Sequence, residues 1–282
     1  MAATQLFAFG FGYVAAELAR TLASAGWDCA GTVRSDSTAG PLRAEGYAAH
    51  IWPGAEITPP STFNLGGAAW LISVPPDDKG CPVFRSFSHL APTASWIGYL
   101  STTGVYGDLA GGWAFEETPL NPQSREATNR AAAEAQWTTA GARIFRLPGI
   151  YGPGRSAIER VKEPGARRIV KPGQLFSRAH VADIASALHL SIKRPATGAF
   201  NICDDEPAPA DDVLTCAASL LGIDPPPAVA FEDANLSPMA QRFYAECKRV
   251  SNAHAKAALG WRPEFPTYRE GLRDCLTKAM QD

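Results

Sequence analysis

The chain has 282 residues with 26 Lys plus Arg against 28 Asp plus Glu, a formal net charge of −2 that gives no overall attraction to nucleic acid or an anionic membrane. Hydrophobic residues at 46% and charged residues at 19% exclude a disordered chain or a coiled coil. At roughly 150 residues per domain, the length fits one large domain or two intimate ones.

The first cation is Arg20, so the apolar start lacks the basic region of a signal peptide, and Gly10 and Gly12 interrupt it. The best apolar run, around Ala68 to Val74, stops at Pro75-Pro76, short of the roughly 18 residues a membrane span needs. A cytoplasmic protein without membrane contact is expected. Cys29, Cys81, Cys203, Cys216, Cys247 and Cys275 form no CxxC pair and have no companion histidine at ligand spacing, so reduced thiols and no metal are expected.

In chain order, short apolar runs predict strands at Leu6–Phe9, Asp28–Val33, Ala68–Val74, Ser95–Leu100, Arg143–Leu147 and Gly198–Ile202. Helical patterns fall between them at Val14–Ser24, Ala127–Thr138 and Val181–Ile192, and then at Ala210–Leu221, opened near Asp211 and closed by Gly222. This alternation predicts an α/β fold with a doubly wound parallel sheet. After about Ile150 the alternation weakens. The expected organisation is a core over residues 1–150 and a smaller C-terminal substrate lobe over 151–282, with segments near 180–204 returning to the core. Ligands in such sheets bind outside the carboxyl ends of the strands, which puts the site in the cleft between the two parts.

Leu6–Phe9 runs into Gly10-Phe11-Gly12-Tyr13-Val14-Ala15, a G-x-G-x-x-A between a strand and a helix. Gly10 permits the tight turn, Gly12 lets backbone approach a pyrophosphate, and Ala15 allows close helix–strand packing, with Tyr13 and Val14 opening the helix aimed at the phosphates. Arg34 and Ser35 follow the second strand, where an NAD site usually carries an acid for the ribose 2′-hydroxyl. A cation there accommodates a 2′-phosphate, so NADP is expected over NAD.

Ser101-Thr102-Thr103-Gly104-Val105-Tyr106-Gly107 follows the strand predicted at Ser95–Leu100, and after it come Glu116-Glu117, Arg146–Arg155, His180–Ala185 and Phe200-Asn201-Ile202. This ordered set resembles the extended short-chain dehydrogenases/reductases, the NAD(P)-dependent epimerase/dehydratase family, over nearly the whole chain. The resemblance implies a Rossmann core of seven parallel strands, a nicotinamide cofactor and a Ser/Thr–Tyr–Lys catalytic set. Thr102 falls on the Ser/Thr position. Glu126 and Arg130 occupy the places of tyrosine and lysine, and no register slip restores the pair: no tyrosine lies between Tyr106 and Tyr151, and no lysine between Lys79 and Lys162. The first glycine of the family's usual G-x-x-G-x-x-G falls on Phe9. Together these departures resemble the atypical subgroup.

Arg130 offers fixed donors for an electrostatic role but no proton relay. Glu126 is an acid candidate if burial raises its pKa, and otherwise forms an i, i+4 surface pair with Arg130. Tyr106 and Tyr151 are the other hydroxyl donors at the carboxyl edge. Residues 155–178 hold seven cations against Glu159 and Glu163, which suits either a solvated basic loop or an anionic or nucleotide-linked substrate, with Tyr151 and Arg155 as candidate contacts.

Two functions follow. One is an NAD(P)-dependent oxidoreductase or epimerase-like enzyme acting on a small carbonyl or alcohol substrate. The other is a non-catalytic NADP(H)-binding regulatory or sensor protein. A small-molecule substrate, no nucleic acid, and a monomer or homodimer complete the expectation.

Overall fold

The computed structural model describes residues 4–54 and 65–281. In chain order the core runs β1 (Gln5–Phe9), α1 (Tyr13–Ala23), β2 (Asp28–Val33), α2 (Asp36–Ala44), β3 (Ala48–Ile51), β4 (Ala69–Ile72), α3 (Pro82–Phe87) and β5 (Trp96–Thr102). It continues through β6 (Trp113–Ala114), α4 (Arg125–Thr139), β7 (Arg143–Leu147), β8 (Gly149–Tyr151), α5 (Ala157–Arg160), β9 (Arg168–Val170), β10 (Arg178–His180), α6 (Val181–Lys193) and β11 (Ala199–Asn201). The chain closes with α7 (Ala210–Leu221), β12 (Ala228–Ala230), α8 (Pro238–Ala245), β13 (Arg249–Val250), α9 (Ala253–Leu259) and α10 (Tyr268–Ala279).

Seven of these strands form one parallel sheet in the order β11-β7-β5-β4-β1-β2-β3. Its central strands are buried on both faces, as their continuous apolar sequences require: every residue of β4, Ala-Trp-Leu-Ile, is inaccessible. Alternate side chains divide into two cores. Leu6 and Ala8 face α1 and α6, while Phe7 and Phe9 face Trp52, Trp70 and Phe87 on the other side. The predicted doubly wound sheet is therefore present.

All six predicted strands and all four predicted helices appear. Asp211 and Asp212 lie in the first turn of α7, and Gly222 ends that helix in the left-handed region, φ 68°. The strand β3 escaped the sequence pattern because Ala-Ala-His-Ile is short and edge-exposed.

Outside this sheet the chain makes three two-stranded parallel pairs, β8 with β10, β9 with β12 and β6 with β13. A third core forms where Tyr151, Ile158, Val213, Leu214, Tyr268 and Leu272 meet, apart from the sheet. Residues of α6 and β11 return to the sheet itself. No helix among the described residues is long and apolar enough to cross a membrane.

Candidate dinucleotide and substrate site

Gly10 sits at φ +87°, a conformation that side chains rarely adopt, and a Cβ there would fall 3.1 Å from the Val74 amide nitrogen. The turn is pinned from the second strand. The Gly10 amide donates to Thr32 Oγ at 2.9 Å, and the Phe11 amide donates to the Thr32 carbonyl at 2.7 Å. Gly12 then opens α1 with free space where a Cβ would lie, the clearance a pyrophosphate needs above a helix N-terminus. No acidic residue occupies that first turn. Val14 and Ala15 are buried in the sheet core. Tyr13 turns away, its hydroxyl donating to the Pro153 carbonyl at 3.0 Å.

A cleft of ≈ 360 Å³ lies over this turn, lined among others by Gly10, Gly12, Arg34, Thr38 and Ser73. Arg34 is exposed at the end of β2. Ser35 Oγ lies 2.9 Å from Ser37 Oγ and 3.1 Å from Thr38 Oγ, a hydroxyl cluster at the start of α2. A glycine turn with clearance and a helix N-terminus fit a dinucleotide, with one cation and three hydroxyls at the end of the cleft. Thr32 and Thr38 were not singled out in the sequence. Their signal was weak, a hydroxyl at the strand end facing the glycine turn and another in the first turn of the next helix.

At the carboxyl end of β5, Thr102 Oγ accepts the Gly104 amide at 3.1 Å. That bond uses a lone pair and leaves the Thr102 hydroxyl proton to donate elsewhere. Tyr106 is placed differently. It is fully buried, its hydroxyl donates to Asn201 Oδ1 at 2.8 Å, and it accepts from Arg146 Nη1 at 2.9 Å. Burial pushes its pKa up. Arg146 in turn pairs with Glu134 Oε2 at 2.8 Å, and Glu134 Oε1 accepts from Ser101 Oγ at 2.5 Å. The phenol is thus part of a buried network that joins β5, α4, β7 and β11.

Glu126 and Arg130 share α4 but not an environment. Glu126 keeps 73% of its side chain exposed and lies 4.0 Å from Arg242 of α8. Arg130 turns inward, donating from Nη1 to the Leu100 carbonyl at 2.5 Å with its guanidinium 5.9 Å from the Tyr99 ring. The predicted i, i+4 pairing between the two is not among the ion pairs of the described residues.

Tyr151 and Arg155 both line a second cavity of ≈ 440 Å³, bounded by β8, α5, α7 and α10. The Tyr151 ring packs against α10 at Gly271, where a Cβ would collide with the hydroxyl, and that hydroxyl is buried without a hydrogen bond. Arg155 is exposed, 5.8 Å above the Tyr13 ring, which sets the cavity mouth beside the first turn of α1. His180, at the start of α6, is fully buried: its Nδ1 accepts the Ala182 amide at 3.3 Å, and burial holds its pKa down to about 4.

No protein-family model matches the chain. It is 31% identical over 179 residues to a 3-diazoavenalumate denitrifying reductase from Streptomyces sp, a match covering 56% of this chain and 57% of that protein. A conserved protein of unknown function from Silicibacter pomeroyi DSS superimposes with a TM-score of 0.91 at 44% identity, over 98% of this chain and 99% of that one. The dTDP-glucose 4,6-dehydratase of Bacillus anthracis str. Ames, solved in complex with NAD, superimposes with a TM-score of 0.74 at 15% identity, over 100% of this chain and 97% of that one.

Proposed function

Starting from a chain with the fold of the extended short-chain dehydrogenases/reductases, we propose an NADP(H)-dependent oxidoreductase acting on a small anionic carbonyl or alcohol substrate. The observation that carries the reading is the glycine turn: Gly10 held by Thr32, open space above Gly12, and a cleft that ends at Arg34 and Thr38. The neighbours solved with NAD support a nicotinamide cofactor, and the partial match to a reductase supports redox chemistry over epimerisation.

In this reading the bound nicotinamide supplies or accepts hydride. The chain's own residues position and polarise. Gly10 and Gly12 with the start of α1 hold the diphosphate, while Arg34 and the Ser35–Thr38 hydroxyls take the 2′-phosphate. Thr102, its lone pair engaged by Gly104, donates its proton to the substrate oxygen. Glu126, at the place of the missing phenol, is open to solvent and lacks the burial its role as an acid required, and Tyr106 is locked between Asn201 and Arg146, so in this reading water supplies the proton. Arg130 serves as a fixed positive charge behind the strand end.

A second reading, a cofactor-binding sensor without turnover, draws on Arg130, whose guanidinium is tied to Leu100 where the family's lysine would meet the ribose. The deciding experiment follows NADPH absorbance on adding carbonyl substrates to purified protein. Substrate-dependent oxidation supports the enzyme. Tight NADPH binding with no oxidation across a broad panel supports the sensor, and binding of neither dinucleotide overturns both.

A further inference from the structure

The 440 Å³ cavity in the second part of the chain is too large to be a packing defect and falls in the range of small-molecule sites. Its walls are mainly apolar and ring-bearing: Phe176, Phe243, Tyr151 and Tyr268 line it with Val213 and Leu214. Phe176 and Phe243 stack with centroids 4.5 Å apart and planes 8° from parallel, and Phe243 is 57% exposed on the short helix α8.

The polar groups of the wall are largely committed. Ser156 Oγ donates to Glu159 at 2.6 Å, and Ser177 Oγ accepts the Val250 amide at 3.0 Å. Arg178 donates to the carbonyls of Phe176, Ala208 and Pro209. Arg155 and Arg160 differ. Both are exposed at the mouth, and no hydrogen bond or ion pair holds either guanidinium among the described residues.

The balance of charge selects the ligand. The wall carries three guanidiniums, Arg155, Arg160 and Arg178, and two carboxylates, Glu159 and Glu163, which leaves one positive charge in excess. A nucleoside diphosphate would bring more negative charge than this wall neutralises, and its base would find few free donors or acceptors. A monoanion with an apolar, ring-bearing body matches both the charge and the lining.

We propose that this cavity binds a monoanionic aromatic substrate such as a carboxylate, its ring among Phe176, Phe243 and Tyr268 and its charge between Arg155 and Arg160. The inference rests on the oxidoreductase reading for its word substrate, but the binding itself requires no cofactor.

The test is calorimetric titration of the full chain, without dinucleotide, using 2-naphthoate, its neutral counterpart 2-naphthylmethanol, and UDP-glucose. The proposal expects 2-naphthoate to bind best, Arg155→Ala with Arg160→Ala to weaken it by roughly tenfold or more, and the alcohol to be indifferent to both changes. Phe243→Ala, at an exposed position that leaves the fold intact, should weaken both naphthyl ligands. Preferential binding of UDP-glucose, or naphthoate binding that ignores the arginine substitutions, would overturn the assignment. A separate NADPH titration distinguishes this failure from failure of the cofactor site.

Discussion

Arg146 on β7 and Glu134 on α4 form an ion pair sealed from solvent, with Nη2 2.8 Å from Oε2 and side-chain exposures of 8% and 6%. Arg146 also holds the Tyr106 hydroxyl and the Glu116 carbonyl, so one guanidinium joins the strand after the crossover helix to the loop that follows Thr102. Removing one partner of such a pair strands the other charge in the interior. Glu134→Ala should lose about 3–5 kcal/mol of stability, read by urea unfolding, whereas a loss within experimental error would show that the network is dispensable.

Thr32 supplies the acceptor for the Gly10 amide and is itself almost fully buried. Thr32→Val keeps the shape and removes that acceptor, leaving a turn amide unpaired. NADPH affinity should fall by roughly tenfold while the circular dichroism spectrum is unchanged. Unaltered affinity would show that the turn needs no such anchor.

Burial raises the Asp204 carboxyl from its ordinary 3.8 to about 8, although the Arg178 guanidinium nearby pulls it down. Between those values the folded chain keeps a proton that the unfolded chain has lost, so the folded state loses stability as pH rises from about 4 to about 8. Asp204→Asn, neutral and nearly isosteric, should exceed the parent in stability by a margin that widens from pH 5 to pH 8. A constant margin would place the Asp204 titration outside this window.

Thr102→Val tests the donor at the end of β5. NADPH binding should be unchanged, while turnover should fall about 10²-fold, the scale of losing one positioned donor at a reacting oxygen. Full turnover in this variant would remove Thr102 from the chemistry.

The sheet was legible because its strands are buried on both faces and written as continuous apolar runs: Leu6–Phe9 and Ala68–Val74 announce themselves. The pairs β8 with β10 and β9 with β12 were not, since strands of three residues held by loops carry no periodicity. The glycine turn was legible in Gly10 and Gly12, while its anchor Thr32 was hidden in the neighbouring strand, 22 residues away. Glu126 and Arg130 could be placed on one helix from spacing alone. Their divergent surroundings depend on α8 and the end of β5, which meet α4 only in the folded chain.

Arg34, exposed at the end of β2, is proposed to read a 2′-phosphate. Fluorescence titration of NADPH and NADH against the parent chain and Arg34→Ala tests it most directly. The parent is expected to prefer NADPH, and the substitution to weaken NADPH by roughly tenfold or more with little effect on NADH, since a charged hydrogen bond to phosphate is what is lost. A parent that prefers NADH, or a variant that binds NADPH as tightly as the parent, would contradict it.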